Sequence, residues 1–258
     1  MSLLTTTRLT KRFGGILAVN ELELGVEPGE ICALIGPNGS GKTTVLNVIT
    51  GIYQPNGGTV NFQGQAIHGR PPHEVCTLGI GRTFQNTRLL LSQSVFDNVR
   101  LGGHIHVQSH LWDILLRTPK IRQEEKAVAL RIDEVLDFVD LRQSRDELVR
   151  NLPYGRQKVL EIARALMARP KLLLLDEPAA GLNSAEKEQL MRLVGRIRDT
   201  GVSVLLIEHE MAFVEGLSDR VFVLNYGKKI AQGSFAEIKR DQAVIEAYLG
   251  TGGGSRAY

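Results

Sequence analysis

Cysteine is nearly absent: Cys32 and Cys76 are the only two in 258 residues, 44 positions apart and forming no CxxC pair. That excludes a metal or redox motif built on thiols, and both are expected as small buried hydrophobes. Long apolar runs are also missing. Stretches such as Leu172 to Leu175 and Val202 to Ile207 span only four to six residues, far short of the roughly 20 needed to cross a bilayer, and they read as buried strands. Met1-Ser2-Leu3-Leu4-Thr5 carries no basic segment, apolar core or cleavage site, so a cytoplasmic chain is expected. No charge of one sign dominates, since 31 basic residues are scattered among 28 acidic ones for a net +3. Nucleic acid is therefore not an expected partner. Low-complexity tracts and internal repeats are lacking as well.

What is present is an ordinary globular composition, 43% hydrophobic and 23% charged, over a length that suits one elaborated domain. Leu3 to Val26 alternates apolar and polar residues around Phe13-Gly14-Gly15, the pattern of an antiparallel hairpin. Ile31-Cys32-Ala33-Leu34-Ile35 is a continuous apolar run followed by glycines and a helical stretch from Thr43 to Thr50. Gly57 to Ile67 alternates again and extends the first hairpin. Between Gln85 and Leu152 the pattern turns helical and charged, with Val128, Ile132, Val135, Leu136 and Val139 at helical spacing. Thereafter strands and helices alternate: strand Leu172 to Asp176, helix Ser184 to Thr200, strand Val202 to Glu208, a short helix, strand Arg220 to Asn225. Such alternation predicts a parallel sheet with helices on both faces.

Chemistry enters at Gly36-Pro37-Asn38-Gly39-Ser40-Gly41-Lys42-Thr43, followed by Thr44. The segment satisfies G-x-x-x-x-G-K-[ST] and lies between an apolar strand and a helix. Glycines let backbone N–H groups turn inward to cradle phosphates, Lys42 reaches the outer phosphates, and the Thr43 hydroxyl ligates Mg²⁺. Such a match arises by chance in about one chain of this length per hundred, so the loop alone does not decide. The second element is Leu172-Leu173-Leu174-Leu175-Asp176-Glu177, a buried strand ending in two carboxylates. Asp176 is placed to hold Mg²⁺ and Glu177 to polarise an attacking water.

With these two elements in place the chain resembles the ABC ATPase superfamily along nearly its whole length, because further motifs follow in that family's order. Gln85 in Arg82-Thr83-Phe84-Gln85-Asn86 looks like the Q-loop glutamine, which the resemblance places on Mg²⁺ or the catalytic water. Leu152-Pro153-Tyr154-Gly155-Arg156-Gln157 aligns with the LSGGQ signature, matching outright only at Leu152 and Gly155. Ala180-Gly181-Leu182-Asn183 resembles the D-loop, with asparagine where aspartate is usual, and His209 looks like the H-loop histidine. Phe13 sits where the family has an aromatic that stacks on adenine.

The resemblance implies an α/β P-loop NTPase (RecA-like) fold: a parallel sheet core, an antiparallel β subdomain over residues 1–30 and 55–75, and an inserted helical subdomain over 86–165. Together these make one ATPase domain over residues 1–250 with a flexible tail at 251–258. It also implies ATP with Mg²⁺, and two cassettes stacked head to tail so that Tyr154, Gly155 and Arg156 of one close over nucleotide held by the other. Pro153 replaces the signature serine and removes one hydroxyl donor, and Arg156 replaces glutamine and adds a cation. The Pro-Tyr-Gly signature, Pro178-Ala179-Ala180-Gly181-Leu182-Asn183 and the ending Ala243-Val244-Ile245-Glu246-Ala247-Tyr248-Leu249-Gly250 are similar to ATPase subunits of branched-chain amino-acid importers. The partners so implied are a second copy or sister ATPase, two membrane permease subunits and, indirectly, an extracytoplasmic solute-binding protein. Leu89, Leu90, Leu91, Val95 and Phe96 are the expected permease groove, or else filling of the helical core. The alternatives are an importer ATPase for another small polar solute such as an amide or urea, a soluble ABC ATPase, a P-loop kinase, and a nucleotide-binding regulator without turnover.

Overall fold

The computed structural model describes residues 2–83, 89–103 and 119–249. Its centre is a six-stranded sheet in the order β10-β9-β3-β8-β7-β6. The strands are β3 (Ile31–Ile35), β6 (Ile80–Arg82), β7 (Leu172–Asp176), β8 (Ser203–Ile207), β9 (Arg220–Asn225) and β10 (Lys228–Gly233). All neighbours pair in parallel except β9 and β10. The expected strands 172–176 and 220–225 form as read. Strands β6 and β10 were not apparent from patterning, because β6 is only three residues and β10 is a half-exposed edge of mixed residues.

Period-two alternation sorts each central strand between two cores. Ile31, Ala33 and Ile35, with Leu173, Leu175, Val204 and Leu206, face one core, and Cys32, Leu34, Leu172, Leu174, Leu205 and Ile207 face the other. A strand buried on both faces must be apolar throughout, which is why these runs do not alternate in sequence. The first core is completed by helices α3 (Val95–Gly102), α4 (Pro119–Phe138), α5 (Tyr154–Leu166) and α6 (Ser184–Asp199). Within α4 the expected helical stripe is realised: Ile132, Val135 and Leu136 are buried, with Val128 partly so.

The second core lies under α1 (Lys42–Ile49), α2 (Pro72–Thr77) and a four-stranded sheet ordered β2-β1-β4-β5, from β1 (Leu4–Phe13), β2 (Ile16–Val26), β4 (Gly57–Phe62) and β5 (Gln65–Ala66). The β1–β2 hairpin is less regular than its alternation suggests. Arg8 and Glu21 adopt positive φ, and the register shifts there, a pair of bulges that turns Val19 inward along with Leu22, Leu24 and Val26. Leu89 and Val95 are buried, whereas Leu90 and Leu91 are exposed, so the expected apolar groove is divided between core and surface. Among the described residues no helix is long and apolar enough to cross a membrane. The tail at 251–258 lies outside the described residues.

Candidate functional site

The carboxyl ends of adjacent parallel strands converge on one cleft of about 1100 Å³. The loop after β3 contributes Gly36 to Gly39 and Gly41 to Thr44, the end of β7 gives Glu177, that of β8 gives His209, and the turn after β9 gives Tyr226 and Gly227. Strand order does this work, because β3, β8 and β7 are neighbours and their exits lie side by side.

Two glycines permit the loop. A side chain on Gly36 would lie 2.0 Å from the Leu224 carbonyl oxygen, and one on Gly41 would lie 2.2 Å from that of Ala18. Both also hold φ values open chiefly to glycine, 150° and 105°. The loop is pinned from outside: the Gly227 N–H donates to the Ser40 carbonyl at 2.9 Å, and the Asn20 N–H donates to Gly227 at 2.8 Å. Helix α1 opens at Gly41 with neither a side-chain cap nor an acidic residue in its first turn. Its leading N–H groups are thus left for an anion. The Lys42 ammonium folds back and donates to the Gly36 and Pro37 carbonyls at 2.8 and 3.1 Å. Burial lowers its pKa, opposed by Glu177 and Asp176.

Asp176 is buried at the end of β7 and paired with Arg82 at 3.0 Å. Its Oδ2 takes that contact, while Oδ1 is buried without a hydrogen-bond partner among the described residues. Desolvation raises the Asp176 pKa and the Arg82 charge opposes it. The next residue, Glu177, has φ 49°, although its N–H still donates to Ile207 at 3.0 Å. The left-handed conformation turns the chain out of the strand and delivers the side chain to the cleft. There Glu177 Oε1 stands 3.9 Å from His209 Nδ1, the histidine 58% exposed and the glutamate 19%.

Glu208, which sequence reasoning passed over, holds these two segments together. It is buried and accepts the Ala179 N–H at 2.8 Å and the His209 N–H at 3.2 Å. Burial raises its pKa against those hydrogen bonds. Tyr248, near the C-terminus and remote in sequence from the loop after β3, also lines the cleft. It stands on the C-terminal helix Gln242–Leu249, which is anchored by buried Val244 and Ala247. Burial pushes its phenol up to about 12, with the Gly36 backbone amide acting the other way.

Two expectations fare differently. Phe13 does not line the cleft. Its ring stands edge-on to Tyr53 with centroids 5.1 Å apart, and the Lys11 ammonium lies 5.0 Å from the Phe13 centroid, so aromatic and cation–π contacts hold it away. Ile16, Leu17 and Ala18 form the wall at that end instead. Nor do Tyr154, Gly155 and Arg156 line the cleft of their own chain. Tyr154 is 46% exposed at the start of α5, and Arg156 donates to the Ser144 hydroxyl at 3.2 Å. Gln85 lies outside the described residues.

A family model described as ABC transporter matches residues 19–180. The chain is 42% identical to the high-affinity branched-chain amino acid transport ATP-binding protein BraF of Pseudomonas aeruginosa, over 96% of this chain and 98% of that protein. It belongs to the ABC transporter ATP-binding family. As an ABC cassette it is an ATP-binding ATPase. A second family model, described as branched-chain amino acid ATP-binding cassette transporter, matches residues 228–253. The high-affinity branched-chain amino acid transport ATP-binding protein LivG of Escherichia coli K12 is also 42% identical, over 96% of this chain and 98% of its own length. Among solved structures, the ADP conformation of the ATP-binding cassette MJ1267 superposes with a TM-score of 0.85 at 33% identity, covering 97% of this ABC cassette and 99% of that chain.

Proposed function

We propose that this cassette hydrolyses ATP to drive uptake of branched-chain amino acids through separate membrane permease subunits, working as one of a pair of cassettes on the inner face of the membrane. The observation that carries the transport reading is full-length likeness to BraF and LivG together with the branched-chain model over the C-terminal segment. The chemistry rests on the cleft. Backbone N–H groups of residues 38–44 at the start of α1 hold the phosphates, and Lys42 exchanges the two carbonyls it now contacts for phosphate oxygens. Glu177 orients the attacking water and takes its proton, with His209 beside it near the terminal phosphate. The γ-phosphoryl bond breaks toward ADP as the water oxygen bonds to phosphorus. Little covalent help is needed from the protein in such a transfer, so positioning and charge carry the rate.

The donors suit Mg²⁺: Thr43, which carries a hydroxyl, lines the cleft, and Asp176 keeps one buried carboxylate oxygen without a partner among the described residues, a hard-oxygen set. Thr43 and Asp176, with Gln85, would hold the ion, and when bound it neutralises charge on the phosphates. The chain's own signature residues lie outside its cleft, which supports closure of the site by Tyr154, Gly155 and Arg156 of a second cassette.

The test is uptake by vesicles reconstituted with the cassette, its permease subunits and its binding protein. Leucine, isoleucine or valine accumulating inside only with ATP is the expected result. Uptake of urea or an amide instead would overturn the substrate class while leaving the ATPase reading, and ATP consumption with no uptake of any solute would overturn transport.

A further inference from the structure

Arg82 lies at the end of β6 with its side chain 6% exposed. One terminal nitrogen meets Asp176 Oδ2 at 3.0 Å. The other donates to Asn47 Oδ1 at 2.7 Å and to Thr50 Oγ1 at 3.0 Å, both at the far end of α1. Thr50 is free to accept because its own proton goes to the Leu46 carbonyl at 2.7 Å. A single planar guanidinium therefore ties together the helix that follows the phosphate loop, the strand that ends in Asp176, and the short strand that leads toward Gln85. Lysine lacks this geometry: it offers one compact charge and no fixed fork with which to hold two directions at once. A buried aspartate needs such a partner, since burial penalises its charge. With Oδ2 committed to Arg82, Oδ1, which has no hydrogen-bond partner among the described residues, is the carboxylate oxygen left open to a further ligand.

We propose that Arg82 is a positioning residue for the metal carboxylate, fixing the Asp176 side chain so that Oδ1 is presented to the cation and bracing it against α1 through Asn47 and Thr50. This rests on the reading of Asp176 as a Mg²⁺ ligand. Groups that orient metal ligands from behind typically set metal affinity by about 10- to 100-fold. The effect therefore belongs to the metal-dependent part of nucleotide binding and not to the phosphate loop itself.

The experiment titrates a fluorescent ATP analogue into the purified full chain, once in EDTA and once across a series of Mg²⁺ concentrations, with Mn²⁺ binding followed by electron paramagnetic resonance. Arg82→Lys is expected to raise the half-saturating Mg²⁺ and Mn²⁺ concentrations by about tenfold while affinity in EDTA stays within about twofold. Asn47→Ala, which leaves the guanidinium–carboxylate pair in place and removes only its brace, is expected to raise them by a smaller factor with the melting curve preserved. It keeps the test open if Arg82→Lys does not fold. Unchanged metal half-saturation in whichever variants fold, or an equal loss of affinity with and without metal, overturns the proposal. Asp176→Asn serves as the reference: if it too leaves the metal titration unchanged, the assignment of Asp176 to the metal fails and the role of Arg82 falls with it, whereas a shift in Asp176→Asn alone overturns only the positioning role.

Discussion

At Glu177 the backbone leaves the conformations that side-chain-bearing residues prefer, with φ 49°, a departure costing about 1 kcal/mol or more. The cost is tolerated because the Glu177 N–H keeps its bond to Ile207 while the carboxylate swings out beside His209. Glu177→Gln preserves shape and removes the base. ATP affinity is expected to stay near wild type while turnover falls by about 10²- to 10⁴-fold, measurable by phosphate release against equilibrium binding, and near-normal turnover would refute the role. Glu208 makes a different prediction. Its pKa is raised by burial, so between the ordinary glutamate value and the raised one the folded protein holds the proton more tightly than the unfolded chain. Stability is then fullest at and below the ordinary value and declines as pH rises through the raised one. Asp176 contributes in the same direction. Glu208→Gln should flatten the decline in melting temperature with rising pH, and an unaltered slope would show that Glu208 does not titrate there. The placement of Lys42, Asp176, Glu177 and His209 was legible because each sits at a fixed offset from a strand end. Arg82 and Glu208 were not, since what they do depends on contacts 94 and 29 positions away, which no local pattern encodes.

Among elements, α6 shows how a departure from family pattern can be silent. Asn183, in place of the usual aspartate, is the N-cap of α6, its side chain accepting the Glu186 N–H at 3.0 Å while Glu186 accepts the Asn183 N–H at 3.0 Å. Asparagine and aspartate serve this capping box about equally well. Asn183→Asp should leave urea-unfolding stability within about 0.5 kcal/mol, and Asn183→Ala should cost about 1 kcal/mol; a loss in Asn183→Asp as large as in Asn183→Ala would exclude capping as its role. The same helix start touches the signature, because a side chain on Gly155 would fall 2.5 Å from Glu186 Oε1. Elements with a strong period were readable: the apolar strands β3 and β7, the stripe in α4, the alternation of β4. The hairpin was readable as a hairpin but not in register, because its bulges at Arg8 and Glu21 leave no mark in residue type. Phe13 shows the same limit. Its position after β1 was visible, but its choice of Tyr53 as a neighbour is set by how the turn meets the loop after α1.

For the whole molecule, the distribution of functional groups is uneven: the phosphate loop, Glu177 and His209 share a cleft, and Tyr154 to Arg156 do not join them. A lone 28.4 kDa chain therefore holds nucleotide with one side of the site, and on the proposed reading a second chain supplies the other. In the Glu177→Gln background, where ATP persists, Mg²⁺ and ATP should drive association to twice the monomer mass, read by light scattering on size exclusion. Arg156 is the informative residue in this contact. One of its five donors is tied to Ser144, which orients the exposed guanidinium and leaves the remaining donors to face a partner's nucleotide. If they reach a phosphate, Arg156→Gln forfeits a charge-assisted bond of about 1.5 kcal/mol, so the ATP concentration for half-maximal dimer should rise roughly tenfold. Raising ionic strength should weaken the dimer more in the parent than in Arg156→Gln, because screening acts on the charge that the variant lacks. Equal dimerisation of both proteins at every salt concentration would confine Arg156 to its bond with Ser144 and leave closure to the backbone of Tyr154 and Gly155.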